Sequence, residues 1–447
     1  MTDILVLGAG LSTTYLIQYL LDHSEEFDWH ITVADIDEKL AQQKVNGNPR
    51  GKAITFDIND DLESWRTIAK ADVVISMLPA FMHHFVAKKC IDLRKPMLTA
   101  SYVSDEIKKY DELAKKAGIP ILMELGVDPG IDHMSAMRVI NKIKEIGGEI
   151  NSFHSFTGGL VAPESDNNPW NYKLTWNPRN VVMAGNGVSK FIQEGRYKYI
   201  PYFRLFDRLL SRKILDLGEF EAYPNRDSLS YREIYNLKDI PTMYRGTLRR
   251  PGYAKAWNVF VKLGATDDSY TMEDSENMTY RDFINSFMQF EPNVPVEIKL
   301  QNYCDNAADP VVLEKLKWLG VFDKRKIGLK NATPAQILQK LIQEKWKLDP
   351  DDKDLLVMQH EFKYVHGNEA RMIISSMALI GEDQEKTAMA KTVGLPLGIA
   401  TKLLLTGKIK KTGIHRPVDK DMYEPILDEL ETLGIKFKEV EYLVDNS

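Results

Sequence analysis

The sequence predicts an α/β protein: an N-terminal doubly wound parallel sheet, then a mixed-sheet α/β domain, with a helical region in the second half. Three observations carry this. Short apolar runs alternate with helical stretches through the first 130 residues. Two glycines split the first run from the helix that follows it, in ILVLGAGLSTTYLIQYL at 4–20. After VDPGIDH at 127–133 the texture shifts to aromatics, glycines and strand-like alternation up to about 265. At 447 residues the chain exceeds one ordinary core, since domains usually run to ~100–200 residues.

The elements follow in order. ILVLG at 4–8, ITVAD at 31–35, KAITFDI at 52–58, DVVISML at 72–78, PMLTA at 96–100 and IPILMEL at 119–125 read as strands. They are apolar throughout, as parallel strands covered on both faces are. Helices are predicted from Thr13 to Asp22, from Glu38 to Lys44, and after Pro79 to about Leu93. Ser104 is a good N-cap for a further helix, with Asp105 and Glu106 in its first turn and Gly118 past its end. From about 270 to 350 the pattern is helical. There Thr333 and Pro334 suit N-cap and first helical position, and Ile337, Leu338, Leu341 and Ile342 share one stripe. A strand at 355–365, a helix from about 386 to 405 and a helix–strand pair at 422–443 complete the chain.

Composition removes several function classes. The hydrophobic fraction is 44%, the charged fraction 27% and the net charge −6, with no basic footprint for nucleic acid or a membrane surface. Two distant cysteines, Cys90 and Cys304, form neither a disulfide framework nor a cysteine zinc site. No cationic segment precedes the first apolar run, and no uninterrupted apolar stretch reaches ~18 residues. A cytoplasmic chain is the expectation. No histidine pair shows metal-ligand spacing. His133 and His154 stand apart, and the adjacent His83 and His84 point away from each other on a helix. Neither Ser76 nor Ser101 lies in a G-x-S-x-G elbow. No metal is expected.

GAGLST places Gly8 and Gly10 at the first two positions of the dinucleotide fingerprint, where a tight turn and a close approach to pyrophosphate are required. The third position is Thr13. Alone, such a pair is equally a bare strand–helix turn; the repeating β–α context favours the Rossmann cradle, with Leu11 and Ser12 completing it. Asp35, closing the second strand, is the candidate ribose ligand and favours NAD over NADP; it could instead be a helix N-cap or turn residue, as could Asp37. Asp57 reads either as a neighbour of the adenine edge, with Ile58, or as a turn aspartate before Asn59. SMLPA at 76–80, TASY at 99–102 and ELGVDPGIDH at 124–133 end at the carboxyl edge of the sheet. They supply Leu78, Thr99 and Val127 as further cofactor candidates, and bring Ser101, Tyr102 and Asp128 towards one crevice.

ELGVDPGIDH, GGLVAPESDNNPWNYKLTWNPR at 158–179, AYPNRDS at 222–228, RGTLRRPGY at 245–253 and LLVMQHEF at 355–362 together resemble the glutamate-forming saccharopine dehydrogenase family over essentially the whole chain. The resemblance implies three domains: a Rossmann domain at 1–130 plus about 386–420; a substrate and dimerisation domain at 131–270 plus about 355–385 and 421–447; and a small inserted helical domain at 271–354. It implies reversible oxidation of L-saccharopine, with NAD(P)+ and water, to L-glutamate and 2-aminoadipate 6-semialdehyde, by a homodimer. Ser101, Tyr102 and Asp128 would meet substrate and nicotinamide, with Tyr102 and Asp128 managing protons. Arg226 and the segment Arg245, Gly246, Thr247 and Leu248 would hold the substrate's carboxylates, as bidentate arginines suit such groups. Lys173 and Trp176 would complete the wall near the nicotinamide. Arg249 and Arg250 read as surface ion-pair residues.

Three departures bear on cofactor choice and fine mechanism. Thr157 and Val161 stand where the family commonly has cysteine and proline, so no thiol is available there. Ser12 replaces an apolar residue in the phosphate loop, and no arginine neighbours Asp35. Two competing readings are a carboxyspermidine-type dehydrogenase, which would favour an acidic pocket, and a non-catalytic nucleotide-binding member.

Overall fold

The computed structural model describes residues 1–184 and 187–444. In chain order its strands are β1 (Thr2–Leu7), β2 (Trp29–Asp35), β3 (Gly51–Thr55), β4 (Val73–Ser76), β5 (Met97–Leu98) and β6 (Pro120–Leu122). Next come β7 (Glu149–Val161), β8 (Val188–Gln193), β9 (Arg196–Pro201), β10 (Leu210–Lys213), β11 (Glu219–Pro224) and β12 (Thr242–Arg249). The last four are β13 (Asp354–His366), β14 (Glu369–Ile380), β15 (Gly413–His415) and β16 (Lys438–Leu443).

The chain divides into two compact units, residues 1–148 with 379–437 and residues 149–378 with 438–447. The first unit holds a seven-stranded sheet in the order β15-β6-β5-β4-β1-β2-β3. Every pairing in it is parallel. Six of its strands follow the doubly wound order 3-2-1-4-5-6, and β15 adds to the β6 edge. Its central strands β1 and β4 are buried from Ile4 to Leu7 and from Val73 to Ser76, which explains their unbroken apolar character. The predicted caps form on two helices instead of one: Ser104 accepts from the Ile107 N–H at 3.2 Å and opens Asp105–Lys108, whereas Gly118, in the left-handed region, ends a separate helix, Asp111–Ala117.

The fifth and sixth strands are shorter than their apolar runs suggested. Beyond Leu98 and Leu122 the ladder becomes irregular: Thr99 N–H donates to Leu122 O, Glu124 N–H to Ser101 O and Leu125 N–H to Thr99 O. This interleaving carries Thr99–Tyr102 and Glu124–Asp128 past the sheet edge with their backbone still paired.

The second unit contains a nine-stranded mixed sheet, with main path β10-β11-β12-β7-β13-β14-β16 and β8 and β9 branching from β12. β7 lies between a parallel neighbour, β12, and an antiparallel one, β13. The region read as strand-like up to 265 ends in a helix, Tyr253–Leu263, nine of whose eleven residues are buried. Its two exposed residues, Lys255 and Lys262, mark only a narrow polar face, and the aromatic and β-branched residues between them read as strand.

Domain boundaries shift for packing reasons. The sequence placed 131–148 and 421–437 with the substrate domain, but both fall in the first unit. The helices Ile131–Glu145 and Lys420–Thr432 are joined there by Arg138 Nη2, 2.7 Å from Glu424 Oε2, and by Asn141 Nδ2 donating to the Tyr423 hydroxyl at 2.6 Å. Residues 271–354 share one hydrophobic core with the sheet of the second unit: Trp346 of the helical stretch meets Trp170 at 5.2 Å between ring centroids.

The helix Ala388–Leu405 is long and apolar enough to cross a membrane by length and composition, yet it is mostly buried in its unit. It packs on the helix Thr14–Asp22, which follows the first glycine loop. Gly394 permits that approach, because a Cβ there would lie 2.6 Å from the Leu16 backbone nitrogen. Gly394→Ala is expected to destabilise the protein by about 1–3 kcal/mol through overpacking. Urea unfolding at fixed pH measures it, and a midpoint equal to wild type would refute the close contact.

Candidate active site

At the carboxyl edge of the parallel sheet, β1 ends in Gly8 with φ +102°, a conformation costly for any side chain. A Cβ there would also stand 3.0 Å from Met77 O. Gly8 N–H donates to Ala34 O at 2.7 Å, so the turn is pinned to β2. Gly10 precedes the short helix Leu11–Thr13, whose start has no side-chain cap, and the helix Thr14–Asp22 continues from it. Uncapped N–H groups at a helix start fit a pyrophosphate. Thr13 is buried and its hydroxyl donates to Gly10 O at 2.8 Å, so it holds the loop from inside.

Asp35 is neither a helix cap nor an idle carboxylate. Its Oδ2 accepts from the Ala9 N–H at 2.7 Å and its Oδ1 from the Asp37 N–H at 3.0 Å, while Asp37 caps the next helix through Lys39 N–H. Asp57 is exposed and closes a turn onto Asn59 through two 2.9 Å hydrogen bonds, which accounts for it without a ligand. Ile58, Thr99 and Val127 are buried, and Leu78 is half-buried.

On the same edge the Tyr102 hydroxyl donates to Asp128 Oδ1 at 2.8 Å. Tyr102 is exposed and Asp128 half-buried, so the pair faces solvent. Beneath it lies a residue that sequence reasoning quoted but did not weigh. Glu124 is 2% exposed and has φ +60°. Its carboxylate accepts from Val103 N–H at 3.0 Å, Arg416 Nε at 2.8 Å and His133 Nε2 at 2.8 Å. Burial opposes its charge, but the His133 hydrogen bond and charge, then Arg416 and Val103 N–H, outweigh burial and bring its pKa down to about 2. His133, considered from sequence as an acid–base or metal residue, is therefore structural. Among the described residues no cluster could hold a metal ion.

The second unit holds the remaining candidates, with three different fates for its cations. Arg226 is exposed, sits at φ +34°, and its guanidinium has no protein partner among the described residues. Its backbone is fixed: its carbonyl accepts from Lys190 N–H at 2.7 Å, and Asp227 caps Leu229 N–H at 2.9 Å. Lys173, by contrast, is buried and neutralised by Asp352, with Asp349 at 3.6 Å. Arg249, expected at the surface, is 2% exposed and stacks over Tyr172, Tyr253 and Tyr223 at 5.0, 5.2 and 5.8 Å. Arg250 is half-buried over Phe220. Arg245 is buried over Tyr231 at 4.3 Å. Gly246 and Thr247 pair with Phe156 and Thr157 of β7, whereas Leu248 is core. The Thr157 hydroxyl is buried without a hydrogen-bond partner among the described residues, and Trp176 is half-buried, its Nε1–H reaching the Tyr172 hydroxyl at 3.4 Å.

Glu124 makes a pH prediction. Its pKa is depressed from 4.5 to about 2 in the folded state, so its stabilisation is full above pH ~4.5 and is lost as pH falls towards 2. Glu124→Gln is expected to cost about 3 kcal/mol near neutral pH and to flatten the loss of stability across that acidic window. Urea unfolding at several pH values measures both, and an unchanged acid slope would remove Glu124 as its source.

Residues 4–122 match the family model "Saccharopine dehydrogenase NADP binding domain", and residues 126–435 match "Saccharopine dehydrogenase C-terminal domain". A Schizosaccharomyces pombe protein named saccharopine dehydrogenase [NADP(+), L-glutamate-forming] is 32% identical over 98% of this chain and 99% of its own length. An Arabidopsis thaliana alpha-aminoadipic semialdehyde synthase is 34% identical over 95% of this chain, which spans only 42% of that longer protein. The solved apo saccharopine dehydrogenase (L-Glu forming) of Saccharomyces cerevisiae superposes with a TM-score of 0.88 at 29% identity, covering 99% of this chain and all of that one. With both family models matched across a doubly wound sheet and a mixed sheet, the chain belongs to the saccharopine dehydrogenase family.

Proposed function

We propose that this chain catalyses the reversible oxidation of L-saccharopine at its CH–NH bond, giving L-glutamate and 2-aminoadipate 6-semialdehyde in lysine metabolism. The observation that carries the reading is the Tyr102–Asp128 pair, hydrogen-bonded at 2.8 Å and facing solvent at the carboxyl edge of the parallel sheet. It is a proton-handling pair where doubly wound folds bind their ligands. The names of the full-length fungal relatives support the same reaction. The cytoplasmic homodimer implied by the resemblance belongs to the same proposal.

A nicotinamide dinucleotide, when bound, supplies the two-electron hydride acceptor or donor. The Gly8–Thr13 loop would hold its pyrophosphate, and Asp35, bound to the Ala9 N–H of that loop, would border the ribose. The other tasks fall to this chain's side chains. Asp128 would take the proton of the secondary amine and return it during carbinolamine formation and collapse, with Tyr102 fixing its orientation. In the second unit, Arg226 offers five unspent donors to a carboxylate.

The cofactor form is where sequence and relatives diverge. Asp35 pointed to NAD, but its carboxylate is engaged by Ala9 and Asp37 N–H groups, so ribose binding is not needed to explain it. The matched NADP-binding model and the NADP(+) in the relatives' names favour NADP. NAD is the second reading, favoured by the charge of Asp35 against a 2′-phosphate.

Purified protein with saccharopine is expected to raise absorbance from reduced dinucleotide, with the higher kcat/KM for NADP. A flat trace with both dinucleotides would end the proposal, and a clear NAD preference would reverse the cofactor assignment. Asp128→Asn is expected to lower kcat by about 10²-fold or more. Arg226→Ala is expected to raise the saccharopine KM by roughly tenfold with kcat little changed. Steady-state kinetics separates the two, and an unchanged KM would remove Arg226 as a clamp.

A further inference from the structure

The edge that carries Tyr102 and Asp128 also carries a buried relay. Ser76 ends β4 and is fully buried. His83, 1% exposed, opens the helix His83–Leu93. Its Nδ1 lies 2.8 Å from Ser76 Oγ and its Nε2 2.7 Å from Ser101 Oγ, with Thr99 Oγ1 further off at 3.4 Å. Ser101 is only half-buried, so the relay runs from the core to the ligand-facing edge.

The direction of this relay follows from counting protons. Burial, and then the neighbouring His84, push the His83 imidazole down to about 4, so at neutral pH it carries one N–H. The Ser76 hydroxyl has His83 as its one side-chain partner among the described residues. A buried hydroxyl left without an acceptor for its proton is costly, so Ser76 O–H donates to Nδ1. The imidazole proton then lies on Nε2 and donates to Ser101 Oγ. Ser101 has spent an acceptor site inward, and its own proton points outward.

We propose that His83 is a positioning residue that, with Ser76, fixes Ser101 as a hydrogen-bond donor to a carboxylate of the bound substrate. The proposal rests on the functional reading above for the identity of that carboxylate. With one acceptor site of Ser101 filled by the His83 N–H, its own O–H is polarised and oriented to donate, and that hydrogen bond strengthens on an anion. This extends the site to a histidine that sequence reasoning treated only as a failed metal ligand.

Two measurements test it. Long-range nitrogen–proton NMR of histidine-labelled wild-type protein at neutral pH is expected to show His83 neutral with the proton on Nε2. A proton on Nδ1, or an imidazolium, would overturn the relay. In steady state, His83→Leu is expected to raise the saccharopine KM by about tenfold with kcat and dinucleotide affinity within about threefold of wild type. His83→Gln, which keeps a donor towards Ser101, is expected to recover most of that KM. Equal KM values for wild type and His83→Leu, or a failure of the glutamine variant to recover any affinity while folding normally, would sink the assignment. If wild-type protein does not oxidise saccharopine, the functional reading fails instead, and the tautomer alone decides the relay.

Discussion

The carboxylate of Glu124 is the constraint on which the rest of the proposed catalytic edge depends. Three donors converge on it from three separate segments: Val103 N–H just past Tyr102, His133 on the helix after Asp128, and Arg416 beyond the edge strand β15. A buried charge is tolerable only when its lone pairs are satisfied by well-placed, preferably charged, donors. Glu124 meets that condition while its own backbone is held in the left-handed region. The loops that present Tyr102 and Asp128 are thereby tied to a common point, and those two side chains meet at 2.8 Å.

The same edge shows how polar groups acquire separate duties. His83 and His133 both look like acid–base candidates by residue type, yet each is buried and committed to fixed partners. His133 serves a carboxylate that holds loops, and His83 joins two hydroxyls. Asp35 and Asp128 are both carboxylates at strand ends, but Asp35 receives two backbone N–H groups, whereas Asp128 keeps a solvent-facing tyrosine as neighbour. Environment assigns the roles.

Cations of the second unit follow the same rule. Lys173 is neutralised by a buried aspartate, Arg249 is enclosed by three tyrosine rings, and Arg226 stays exposed without a protein partner among the described residues. Only a cation left uncommitted can be spent on a substrate carboxylate, because a paired one must first break its own ion pair. Of the three, Arg226 has that freedom, and its fixed backbone limits what is lost on binding.

Sequence alone determined the architecture of the first sheet, because parallel strands covered on both faces must be apolar throughout and the helices between them carry their own caps and glycines. It also marked the glycine loop, through a turn with a steric requirement, and singled out Tyr102, Asp128 and Arg226 as candidates through long motifs. Other features belong to tertiary structure. The duties of Glu124, His83 and Lys173 and the burial of Arg249 each depend on at least one partner distant in sequence, such as Arg416, 292 residues from Glu124, and Ser101, 18 residues from His83. The helix Tyr253–Leu263 read as strand-like because aromatic and β-branched residues dominate all but the narrow face that the exposed Lys255 and Lys262 mark. Local chemistry announces strands, turns and caps; the fate of a charge is decided by what the fold brings against it.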